Sequence, residues 1–413
     1  MPMKKGLRTA LTVAAVPVVA ITIFVTGLFV YVNVTAKPIH PEPKNVPSVG
    51  NAGPAPAWTN AVEQARQAAR TGVSQQNLPG LSVAVGAGGE IVWAEGFGFA
   101  DLDTRATVTP ATRFRIGDVS IPLTSAGAGL LVEKRRLNLD SVIQMYVPEF
   151  PEKQWPVTLR ELMGHVGGVR TDAGDEEALE ETCQRTVDGV KRFADDRLLF
   201  EPGTRFRSSS YGWILVSAAI EAAASEPFFT FMRRQVFEPL GMSATRPEAW
   251  KEAIADRATF YFPRFGGDTR YGPESVRDGD HACFAGAGAF LSTPSDLVRF
   301  GLAVNGGRLL QPATVELLQT PQRLTSGELT DYGLGWRLET IPLAGSPAKM
   351  AGHGTKPDFI GGSAYLMTFP ERGLVVAVTA NTAFADVKSI ALGVAQAFAG
   401  AQGGRPATPR SRE

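Results

Sequence analysis

Cysteine is scarce in this chain: Cys183 and Cys283 are the only two among 413 residues. That scarcity excludes a disulfide-dense scaffold and any four-cysteine zinc site. In an oxidising compartment the two can form one bridge; otherwise they are two buried thiols, and both readings stay open. Net charge is lacking as well. The 41 basic residues balance 41 acidic ones, and the signs are mixed locally. Neither a basic field for nucleic acid nor an acidic one for cations is implied, and no charged tail stands out. No internal repeat is evident.

What is present is a large apolar fraction, 44% of the residues. It suffices for one large α/β domain or two closely joined lobes. The 44 glycines and 29 prolines indicate many tight turns. Lys4, Lys5 and Arg8 precede 24 uncharged residues from Thr9 to Val32. Such a run crosses roughly 30 Å of hydrocarbon, whereas the apolar part of a cleaved signal spans about 7–15 residues. We therefore read residues 1–8 as cytoplasmic, 9–32 as an uncleaved transmembrane anchor, and the rest as lying on the extracytoplasmic, periplasmic side. Cleavage near the small residues around Ala36 is the alternative. Residues 33–57, rich in proline, glycine and small side chains, read as an extended linker that stands the domain off the membrane.

A helix is expected from Trp58 onward. Strands follow over Leu81–Val85 and Ile91–Phe97, with Gly86, Gly88 and Gly89 between them as a hairpin turn. Helical periodicity dominates the middle of the chain. Two more strands, Ser363–Phe369 and Leu374–Thr379, flank Pro370–Gly373, and a helix over Val387–Ala399 closes the domain. The pattern predicts an α/β (α+β) domain over 58–399, with one antiparallel sheet built from both chain ends beside a helical lobe, and a frayed tail at 400–413.

The most informative segment is Thr112-Arg113-Phe114-Arg115-Ile116-Gly117-Asp118-Val119-Ser120-Ile121-Pro122-Leu123-Thr124. It leads into a helix, with Asp118 as the expected N-cap and Pro122 in the first turn. Further on stand Leu137-Asn138-Leu139-Asp140, Tyr146-Val147-Pro148 and Thr158-Leu159-Arg160-Glu161-Leu162. Pro202-Gly203-Thr204, Pro239-Leu240-Gly241-Met242, Leu291-Ser292-Thr293-Pro294 and Tyr332-Gly333-Leu334-Gly335-Trp336 follow in that order. In this combination the chain resembles the class C β-lactamase and penicillin-binding-protein family over about residues 58–399.

The resemblance implies a serine hydrolase site whose first motif is Ser-x-x-Lys. Residues three apart share a helix face, so the amine reaches the hydroxyl and accepts its proton. Here the serine position is Asp118 and the lysine position is Ile121. A carboxylate would give a mixed anhydride on acyl attack, and an alkyl chain moves no proton. Ser120, two residues after Asp118, is turned about 200° around the helix. The family's tyrosine position is Ser208 and its following polar position is Ser210, in Phe206-Arg207-Ser208-Ser209-Ser210-Tyr211-Gly212-Trp213. A serine hydroxyl lacks the reach and acidity of a phenol. Tyr211 reads as an ordinary packed aromatic. The third motif aligns with Gly352-His353-Gly354-Thr355, keeping His353 but placing Thr355 where glycine is usual. His165, in Leu162–Gly168, reads as a core histidine. Asp278, Asp280, His281 and Cys283 resemble a ligand set, but a solvated loop is the better reading.

The expected pocket lies between sheet and helical lobe, lined by Asp118, Ser208, Ser210 and His353. No cofactor and no metal are implied. Three functions remain: a catalytically inactive domain binding a small-molecule or peptidoglycan-like ligand or a partner, an active esterase, peptidase or β-lactamase using non-standard groups, and a scaffold.

Overall fold

The computed structural model describes residues 5–51, 55–170, 183–248, 252–276, 279–358 and 361–403. One long N-terminal helix, Lys5–Thr35, precedes the domain. Its Val16–Thr35 stretch is the one helix among the described residues that is, by itself, long and apolar enough to cross a membrane.

The main sheet has seven strands in the order β1-β3-β2-β12-β11-β10-β9. They are β1 (Ser48–Gly50), β2 (Gly80–Ala87), β3 (Glu90–Gly98), β9 (Arg337–Leu343), β10 (Ser346–Gly354), β11 (Ser363–Phe369) and β12 (Leu374–Ala380). Every pairing in it is antiparallel. The central junction pairs β2 with β12, so the sheet is built from both ends of the chain. Period-2 alternation sends Leu81, Val83 and Val85 to one face, against the helices Thr59–Gln75 and Val387–Gly403. Ala84 goes to the other face, with the helix Pro294–Asn305 and the helical lobe. A second sheet joins β4 (Phe114–Arg115), β8 (Phe290–Ser292) and β5 (Arg246–Pro247). A short hairpin pairs β6 (Tyr261–Pro263) with β7 (Pro273–Ser275).

Two expectations need correction. Gly86 is not in the hairpin turn but inside β2, opposite Ile91. A Cβ there would stand 2.6 Å from Val298, so the glycine serves the close approach of the helix Pro294–Asn305. The turn itself uses Gly88 and Gly89, both with positive φ. The segment read as a stand-off linker is also largely structured. His40 and Val46 are buried, the Gly98 amide donates to the Pro47 carbonyl, and β1 forms the sheet's edge strand. Its prolines and glycines suit a short edge strand as well as they suit a free spacer.

The cysteines, left open by the sequence, are bridged: Cys183–Cys283 joins positions 100 residues apart with Cα atoms 5.0 Å apart.

Candidate functional site

Asp118 lies in a 3-10 turn, Gly117–Val119, directly before the helix Ser120–Glu133. It is not the N-cap of that helix. Val119 holds the position, since the 3-10 turn runs straight into the helix. Asp118 is 6% exposed. Ile121 is 2% exposed and packs in the main core. Ser120 is wholly buried, and its hydroxyl finds no hydrogen-bond partner among the described residues. The strand leading here is fixed by a buried ion network. Arg115 Nε lies 2.6 Å from Glu248, which also takes Arg257 at 2.6 Å. Burial pushes the Glu248 carboxyl up, but Arg115, His281 and Arg257 together hold it below its usual value.

Tyr332 is the hub of the site. Its hydroxyl is 2.8 Å from His353 Nε2 on β10. His353 Nδ1 lies 3.1 Å from the Gly354 carbonyl. That contact needs a proton on Nδ1, so Nε2 accepts from the tyrosine hydroxyl. Burial brings the His353 imidazole down to about 4, so it is neutral at pH 7. Burial and the nearby charge of Asp118 push the Tyr332 phenol well above its ordinary value. Neither group is set up as a general base for an attacking hydroxyl: the tyrosine keeps its proton, and the histidine's lone pair is already engaged.

His165 sits beneath this pair, its ring 4.8 Å from that of Tyr332 and in edge contact with Phe206 and Trp213. Its Nδ1 accepts from the Ser209 amide at 3.1 Å. Burial lowers its imidazole well below the usual value, which fits a packing residue. Ser209 caps the helix Ser210–Ala224, accepting from the Gly212 amide at 3.1 Å. Ser210, the first residue of that helix, is buried, and Lys356 Nζ donates to its hydroxyl at 3.2 Å. Ser208, by contrast, is exposed. Tyr211 stacks on Phe193 at 4.6 Å, as an ordinary aromatic would.

The structure thus links Asp118 and His353 through Tyr332, and places Ser210 on Lys356. Ser208 joins neither group through a described contact. Sequence reasoning passed over Tyr332 and Lys356 as site residues. Tyr332 opens the Tyr-Gly-Leu-Gly-Trp landmark, read as scaffold only. Lys356 follows His353 by three residues, one past the Thr355 of the third motif. Of the group resembling a ligand set, Asp280 accepts from the Ala282 amide at 2.8 Å and Cys283 is spent in the disulfide. Asp278 lies outside the described residues.

Known proteins match this chain along most of its length. A family model described as Beta-lactamase matches residues 61–400. The serine beta-lactamase-like protein LACTB, mitochondrial, of Homo sapiens is 26% identical over 443 residues, covering 83% of this chain and 80% of its own. Penicillin-binding protein 4* of Bacillus subtilis (strain 168) is 29% identical over 62% of this chain and 59% of its own. Among solved structures, a class C beta-lactamase superposes with a TM-score of 0.68 at 17% identity, covering 85% of this chain and 98% of that one. The octameric penicillin-binding protein homologue from Pyrococcus abyssi also reaches 0.68, at 22% identity, covering 80% of this chain and 76% of its own.

Proposed function

We propose that this chain, which belongs to the beta-lactamase family, binds a ligand in its cleft without forming an acyl-enzyme. The observation that carries this reading is the pair Asp118 and Ile121 at the head of the helix Ser120–Glu133. Acyl transfer needs an oxygen nucleophile, a group to take its proton and a donor for the leaving group. At the family positions stand a carboxylate, a buried alkyl chain and an exposed serine. Loss of a catalytic unit costs about 10⁶ in turnover in other hydrolases.

The polar groups gathered here suit binding. Lys356 offers a cation beside the N-terminus of the helix Ser210–Ala224, which itself favours anions. The ligand this reading favours is a small molecule or peptidoglycan-like fragment carrying a carboxylate. The N-terminal helix is read as an uncleaved membrane anchor, with the domain on the extracytoplasmic side. No nucleic-acid partner is expected.

A thermal-shift series with peptidoglycan fragments tests binding. A ligand at a hundred times its Kd stabilises the fold by about 2.7 kcal/mol, a clear rise in Tm. The rise should saturate and should shrink when Lys356 is replaced by alanine. No rise with any fragment would favour the scaffold reading.

The hydrolase alternative has one observation in its favour, the 3.2 Å contact of Lys356 Nζ with the Ser210 hydroxyl. An amine beside a serine hydroxyl is a nucleophile–base geometry. A covalent adduct on Ser210 would establish it.

A further inference from the structure

The tether between the apolar helix and the domain is short. The anchor read over residues 9–32 is 24 residues, about 36 Å at 1.5 Å per residue and enough to cross the roughly 30 Å hydrocarbon core, and the helix runs on only to Thr35. The helix therefore ends near the headgroup layer. The domain begins almost at once: the Ile39 amide donates to Asn77 Oδ1 at 2.7 Å, and the Ser74 hydroxyl donates to the His40 carbonyl at 2.8 Å. The His40 ring is buried, stacked on Phe99 at 5.3 Å. From Thr35 to Ile39 an extended chain reaches at most roughly 14 Å. Val32, one turn before the helix end, is itself buried, unlike its helical neighbours.

The point where this tether enters fixes which end of the main sheet it meets. Ser48 pairs with Phe97, Phe97 with Leu81, Leu81 with Ala380, and Ala380 with Ser363. These five residues form one row across the sheet at the end where the chain comes in. The candidate site lies at the same end. Gly354 pairs with Tyr365, two residues from that row, and the Thr355 amide donates to the Ala364 carbonyl at 3.0 Å. Lys356 then stands level with the row. β10 is five strands from β1, about 24 Å across at ~4.8 Å per strand. Beyond the row, β6 runs beside residues 381–383, its Tyr261 amide donating to the Asn381 carbonyl at 2.9 Å. There Phe262 is one of the few large apolar side chains exposed on the domain, its ring edge-on to Phe384 at 5.3 Å.

We infer that the domain rests on the lipid headgroups through this end of its sheet, with Phe262 at the contact. The inference rests on the anchor reading of the N-terminal helix. A domain tied to its span by so few residues cannot turn its other end to the bilayer, because His40 and β1 are part of its fold. Charge at this end is mixed, Arg270 being paired with Asp268 and the exposed Glu274 standing opposite Phe262 on β7. Contact therefore comes from the tether and the aromatic edge, not from attraction to anionic lipid.

The test uses the full chain in liposomes. Both native cysteines are bridged, so an introduced thiol takes the label. A fluorophore is placed at Phe262→Cys, at Thr104→Cys on the same end, or at Glu371→Cys at the opposite end. Lipids spin-labelled at the headgroup should quench the first two severalfold more than the third. Equal quenching at all three, or stronger quenching at Glu371→Cys, overturns the orientation. Flotation with the liposomes and resistance to alkaline extraction are read in the same samples. Their failure overturns the anchor itself, and their success with equal quenching overturns the orientation alone.

Discussion

At the scale of single residues, the site carries Asp118 and Ile121 at the family's serine and lysine positions, and its groups are buried. His353 is the clearest case. Its neutral form is held by burial, and its folded value of about 4 lies below the usual 6.5. In the unfolded chain the imidazole protonates as pH falls through about 6.5, while in the fold it stays neutral until about 4. The unfolded state therefore binds more protons across that window. Stability is full above pH 6.5 and is lost as pH falls toward 4, by roughly 3 kcal/mol for this group. Urea unfolding at pH 7 and pH 4.5 should show a steep loss in the natural chain. His353→Gln should show a loss smaller by most of that share, the remainder including His165. An unchanged pH dependence would mean that His353 is not buried neutral against Tyr332.

The residue scale also marks what the sequence could and could not show. Asp118, Ile121 and Ser210 were legible because motif spacing fixes them on helices, where register is exact to a residue. Ser208 was legible as a position but not as an exposed one. Tyr332 and Lys356 were not legible as site residues. Both stand in loops, and no periodicity says where a loop side chain points.

At the scale of elements, hydrophobic alternation made β2, β3, β11 and β12 readable. It left β4, β5 and β8 unread, since two or three residues show no period. Those short strands are held by charge instead. Glu248 follows β5 and binds Arg115 of β4 and Arg257, with both Arg115 and Glu248 almost fully buried. Removing one member of a buried pair leaves the other charge uncompensated, at a cost of about 3–5 kcal/mol. Glu248→Gln should lower the unfolding free energy by that order. It should also remove part of the acid sensitivity. The carboxyl titrates below its usual value in the fold, so its contribution is present above about pH 4.5 and is lost as pH falls below it. A variant as stable as the parent at pH 7 would show that the network contributes nothing.

At the scale of the whole molecule, the Cys183–Cys283 bridge closes a loop of 100 residues that runs from the helical lobe through β5 and the β6–β7 hairpin. In the chain-entropy model such a loop is worth up to about 4–5 kcal/mol. Chemical unfolding of Cys183→Ser/Cys283→Ser beside the oxidised parent should show a loss approaching that figure. A loss below about 1 kcal/mol would contradict it. The fold was the most legible level of all. Ordered landmarks from Leu137 to Trp336 hold the scaffold, while the residues at the family's motif positions differ, so what the chain does depends on the site and not on the architecture.

That dependence is tested most directly by intact mass spectrometry of the whole protein after prolonged incubation with a penicillin, and separately with a fluorophosphonate. With Asp118 and Ile121 at the head of the helix Ser120–Glu133, the account predicts that the mass stays that of the unmodified chain with both reagents. A stoichiometric gain of one acyl or phosphonyl group, mapped to Ser120, Ser208 or Ser210, would contradict it and make this chain an active hydrolase.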